Sequence, residues 1–159
     1  MHRKQQVLIG FAAVFSALLL APASFAASRL SGAESGLLRA VNQARAAHGL
    51  HGVRVDSTLT RAARSHSSEM LRGNYFAHGA FRTRMIAFRV RGPFVGENLA
   101  WGTGSYATPQ TVIEEWLNSP AHRANLLRPS FTRIGIGAVQ GTFRGNGGST
   151  VLTADFAGT

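Results

Sequence analysis

The feature that most constrains this chain is a switch in hydrophobic period. In three stretches before residue 119, apolar side chains recur every three to four positions, so they line one face of a helix. Leu37, Leu38, Val41, Ala44 and Ala47 predict a first helix over about 33–48. It opens on a capping box, Ser31 with Glu34, and stops at Gly49. Leu50–Val55 reads as a loop. Asp56 or Ser57 caps a second helix with the stripe Leu59, Ala62, Ala63, His66 and Met70, ended by Gly73-Asn74. A short helix is expected near Thr83–Arg89, and a brief strand or turn at Glu97–Gly102. Pro109 starts a third long helix carrying Val112, Ile113, Trp116 and Leu117, and one more helical turn is expected at His122–Leu127. After that the pattern becomes short β-like runs, Ile134, Ile136, Ala138 and then Val151, Leu152, Phe156. Gly145-Asn146-Gly147-Gly148 between them is a hairpin signal. Helices first and antiparallel strands last make an α+β fold.

The chain is 159 residues long, the size of a single domain with its own core. It contains no cysteine, which excludes disulfides, thiol catalysis and zinc–thiolate sites. The first residues form an address. Arg3 and Lys4 precede an uncharged apolar run, Val7–Leu20, and Ser24-Phe25-Ala26 places small residues for cleavage. The run is shorter than the ~20 residues needed to span a bilayer. We therefore expect residues 1–26 to be a secretory signal, 27–36 a leader of the mature chain, and 37–159 the functional domain, exported to periplasm, cell wall or medium. Processing leaves 15 basic and 7 acidic residues, a net charge of +8 instead of +10.

Acidic residues are scarce, so Glu97, flanked by Gly96 and Asn98, is conspicuous. His78 follows Asn74-Tyr75-Phe76-Ala77, and His122 lies in a Trp116–Leu127 word. Two imidazoles and a carboxylate are the donors of a divalent metal site, or of an acid–base pair acting on water. They are equally the groups that tie helix to sheet by buried hydrogen bonds. The spacing does not choose between these. His66, on an apolar stripe, reads as a core histidine with one hydrogen-bond partner, and Trp116 and Trp101 as core, with Trp101 at a cleft mouth. Ser65, Ser67 and Ser68 lack the glycine-flanked elbow of a serine hydrolase.

Six words then occur in order: LLRAVNQAR (Leu37–Arg45), AARSHSSEMLRGNYFAH (Ala62–His78), GENLAWG (Gly96–Gly102), WLNSPAHRANLL (Trp116–Leu127), FTRIGIG (Phe131–Gly137) and Ala154-Asp155-Phe156. Together they resemble the CAP superfamily of cysteine-rich secretory proteins, antigen 5 and pathogenesis-related 1, also called the SCP domain, in its cysteine-free bacterial branch. The resemblance implies a three-layer α-β-α sandwich with a central antiparallel sheet and an open cleft. In that family two histidines and two glutamates line the cleft, and some members hold a divalent metal there. Carried over by motif, His78, Glu97 and His122 match three of the four. The second glutamate position is Ser119 here, with Glu115 one helical turn earlier. Glu115, Ser119 and Asn98 complete the candidate cleft. His78, His122 and Glu97 are its metal-ligand candidates, for zinc or calcium, and no residue is assigned a catalytic role.

Arg82, Arg84, Arg89 and Arg91 cluster between His78 and Glu97 as a candidate anion-binding rim. Such a rim would suit phosphate, carboxylate or an anionic envelope polymer. No nucleic-acid motif is present, and a monomer without a membrane span after processing is expected. The reading is an exported binding module whose cleft takes a metal or small ligand. The alternatives are a metal-assisted hydrolase of peptide or cell wall, with Glu97 as base, and a lipid or sterol carrier.

Overall fold

A computed structural model describes residues 29–158. The expected signal segment lies outside them. The helices are α1 (Gly32–Ala47), α2 (Ser57–Gly73), α3 (Phe81–Ala87), α4 (Pro109–Asn118) and α5 (Pro120–Leu126). The strands are β1 (Arg54–Val55), β2 (Val95–Thr103), β3 (Phe131–Phe143) and β4 (Asn146–Gly158), in the sheet order β1-β3-β4-β2. Both long pairings are antiparallel; only the two-residue β1, within the expected loop, runs parallel to β3.

Local chemistry sets the element ends. Ser31 and Glu34 form the capping box of α1, and the Asp56 carboxylate accepts from the Thr58 and Leu59 amides to start α2. Pro109 and Pro120 stand in the first turns of α4 and α5. The β3–β4 turn falls earlier than the glycine run suggested. Its central pair is Arg144-Gly145, both at positive φ (49° and 80°), closed by Phe143 opposite Asn146. Two successive left-handed residues give the hairpin turn that follows strand twist, and Gly147 and Gly148 belong to β4.

The sheet is the middle layer. On one face Ile134, Ile136, Leu152, Ala154 and Phe156 pack with Leu37 and Val41 of α1, Trp116 of α4 and Leu126 of α5. On the other face α2 lies almost on the backbone of β3. A Cβ placed on Gly135 would come within 2.0 Å of the Leu59 carbonyl carbon, and one on Gly137 within 2.4 Å of the Arg64 nitrogen. Ser67 hydrogen-bonds the Gly137 carbonyl (3.0 Å) and the Thr153 hydroxyl (2.9 Å) in this seam.

Strand β2 is an edge, and its outward carbonyls would be unpaired. Side chains from α4 and α5 supply the missing donors. Asn125 Nδ2 donates to the Glu97 carbonyl at 3.0 Å and Trp116 Nε1 to the Leu99 carbonyl at 3.0 Å. The tryptophan and second asparagine of WLNSPAHRANLL thus close the sheet edge beside the site. Among the described residues no helix is long and apolar enough to cross a membrane.

Candidate functional site

Alternation along β2 sends Glu97 toward α2 and Asn98 toward α5. Glu97 is 5% exposed and both of its oxygens are engaged. Oε1 pairs with His78 Nδ1 at 2.8 Å, and Oε2 accepts from Arg84 Nη2. Arg84 Nη1 also donates to the His78 carbonyl at 3.3 Å. His66 is fully buried behind them. Its Nε2 lies 2.9 Å from the Ala77 carbonyl and 3.9 Å from Glu97 Oε2. Burial pushes the His66 pKa down, and the Arg84 cation adds to the effect.

Asp155 lies opposite Glu97 in the β2–β4 register. It is completely buried, and neither carboxyl oxygen has a hydrogen-bond partner among the described residues. Burial, reinforced by the Glu97 charge, raises its pKa well above the ordinary aspartate value, which favours the neutral form. The cluster thus sets one guanidinium, two carboxyl groups and two imidazoles side by side.

A second set of predicted residues converges elsewhere. His122, Glu115 and Ser119 line a cavity of about 330 Å³ at the β2 edge. Its walls include Phe76, Trp101 and Trp116. Trp116 is core, as read from the sequence; Trp101, also read as core but at the cleft mouth, is half-buried in the cavity wall. The His122 ring stands 6.4 Å from that of Trp116, and burial, with a smaller effect of nearby His78, lowers its pKa. Asn98 links the two sets by donating to the His122 carbonyl at 2.9 Å. It holds the α5 turn.

The cysteine-rich secretory protein (CAP) family matches residues 38–156 of this chain. The chain belongs to that family. Among curated relatives, the uncharacterised protein YkwD of Bacillus subtilis is 37% identical over 120 residues, 72% of this chain and 46% of YkwD. The uncharacterised membrane protein YlbC of the same organism is 33% identical over 109 residues, 65% of this chain and 31% of YlbC. This chain therefore spans less than half the length of either. An extracellular SCP-domain protein of Bacillus anthracis superposes with a TM-score of 0.69 at 27% identity, over 80% of this chain and 41% of that one. An outer surface protein of Borrelia burgdorferi shares the fold, with a TM-score of 0.65 at 20% identity over 80% of this chain and 93% of that one.

Seen as a CAP domain, the site departs from the sequence expectations in two ways. First, Arg84 is not part of an anion-binding rim. Its side chain is 9% exposed and turned inward onto Glu97, because a buried carboxylate needs a counter-charge. Arg82, Arg89 and Arg91 do stay exposed. Second, the donors do not fit a metal as they stand. Among the described residues no three histidine or acidic side chains are placed to share an ion. A guanidinium also occupies one oxygen of the carboxylate a cation would need. Asp155 was visible only as part of a terminal word, and sequence reasoning gave it no role. Its partner across the sheet is 58 residues away in sequence, and only the β2–β4 register joins them. His66, read as a core histidine, is one, but it is also the wall behind Glu97.

Proposed function

We propose that this CAP chain is an exported ligand-binding module, and that its ligand occupies the cavity at the β2 edge. The convergence of Glu115, Ser119 and His122 on one aromatic-walled cavity carries this reading. A few polar groups that fix orientation, set in apolar walls, are the usual make-up of a small-molecule site. The aromatic faces suit a ring or acyl group, and the carboxylate, hydroxyl and imidazole suit the hydroxyls and amides of a cell-wall fragment. Export is supported by the layout of residues 1–26 and by structural relatives described as extracellular or outer-surface proteins.

A hydrolase using Glu97 as base is less well supported. A general base needs an oxygen free to reach water, and here both oxygens of Glu97 are already engaged by His78 and Arg84. Isothermal titration of wild type and His122→Ala with zinc chloride, calcium chloride and a purified disaccharide-peptide of bacterial cell wall separates the readings. We expect saturable heat from the fragment that His122→Ala removes. Heat from zinc or calcium that depends on His78, Glu97 and His122 would instead establish the metal centre. Release of product from cell wall or casein, lost in Glu97→Ala, would establish the hydrolase.

A further inference from the structure

We propose that the face built from α3, residues 88–94 and the end of α5 docks the protein onto an anionic phospholipid surface. From residue 70 to residue 96 the chain has no acidic residue but five arginines. Arg84 turns inward; Arg82, Arg89 and Arg91 are exposed. Their side chains make no hydrogen bond or ion pair among the described residues. Arg82 borders a shallow concavity of about 270 Å³ together with Arg128 from the far side, and Ile86, Val90 and Phe94.

The apolar members decide the kind of partner. Ile86 is 77% exposed and Phe94 41%, among the few large hydrophobic side chains left in solvent. The Arg128 guanidinium stands 5.1 Å above the Phe94 ring, so cation and apolar surface form one unit. Three acidic side chains elsewhere are paired with other arginines, Glu34 with Arg64, Asp56 with Arg133 and Glu97 with Arg84, and none of them neutralises this face. A hydrophilic polyanion would gain from the arginines and nothing from Ile86 and Phe94. A lipid surface uses both. Phosphate headgroups accept from the guanidinium forks, and the two apolar tips enter the headgroup–acyl boundary. Attachment of this kind is peripheral and reversible, and needs no spanning helix.

Vesicle sedimentation of the full chain tests this, comparing pure phosphatidylcholine with phosphatidylcholine containing one-third phosphatidylglycerol. Every variant shares residues 1–28, so any contribution of their apolar run cancels. Wild type should bind anionic vesicles at least tenfold more tightly than neutral ones, and the excess should fall with added salt. Arg82→Gln with Arg91→Gln, which removes no internal contact, should lower the anionic binding about twentyfold. Ile86→Ser should lower it about tenfold while leaving adsorption to soluble teichoic acid unchanged. Equal binding to both vesicle types, or full anionic binding by the double arginine variant, would overturn the proposal. Loss of binding in the arginine variant with none in Ile86→Ser would also overturn it, and would make the face a polyanion site. Unchanged thermal melting of each variant keeps a folding defect out of the comparison.

Discussion

At the residue scale the decisive group is Asp155, a buried acid whose pKa is raised by burial and by the neighbouring Glu97. Below about pH 3.8, the ordinary aspartate value, it is protonated whether the chain is folded or not, and its ionisation does not affect stability. As pH rises, the unfolded chain ionises while the folded one holds the proton, so stability is lost until the raised folded pKa is passed. Asp155→Asn, which copies the neutral form, should therefore raise the melting temperature at pH 7, and the gain should vanish near pH 3.5. Thermal melts of both proteins across that range check it; an equal effect at every pH would show that Asp155 is not held neutral. Glu97, across the sheet from it, is paired with the Arg84 guanidinium. Arg84→Met strands that carboxylate beside Asp155 and should destabilise the fold by about 3–5 kcal/mol in denaturant unfolding. His78 and Glu97 were legible from the motif words. The partnership with Arg84 was not, because an arginine among arginines carries no local sign that it turns inward.

At the element scale, the glycines of FTRIGIG follow from the approach of α2 to β3. Gly135→Ala sets a methyl group 2.0 Å from helix backbone that cannot move aside like a side chain. We expect a loss of about 3 kcal/mol or more, at the upper end of overpacking effects, measured by urea unfolding. The same change at Gly147, where a Cβ meets nothing within 4 Å, should cost under about 1 kcal/mol. Helices α1, α2 and α4 were readable because their caps and their 3.6-residue stripes agree. Strand β1 was not, since two residues carry no period and only pairing with β3 makes them a strand. The β3–β4 turn was misplaced because four glycines and asparagines in a row offer several tight turns. The Phe143–Asn146 pair chooses among them by register.

At the scale of the whole molecule, a chain without disulfides is held by its sandwich core and by a few long-range polar ties. Arg45 is the largest of these. Buried to 1% exposure, it donates from α1 to the carbonyls of His51, Leu126, Arg128 and Phe131. It thereby pins the segment that leads from α5 into β3, and with it the turn carrying His122. Arg45→Met should leave those acceptors bare and lower the melting temperature by about 10 °C. A loss of ligand affinity should accompany it, because the cavity wall loosens. The sequence marked Arg45 as part of a word, but its four acceptors lie up to 86 residues away and only the fold collects them.

The central claim, that the β2-edge cavity and not a metal on Glu97 is the binding site, is tested most directly by NMR. Titration of 15N-labelled protein with the disaccharide-peptide should shift the Trp101 indole and His122 ring signals saturably, with Glu115→Gln weakening the effect, while zinc shifts neither. If zinc moves His78 and His122 together at stoichiometric ratio, and the fragment leaves Trp101 untouched, the account is contradicted.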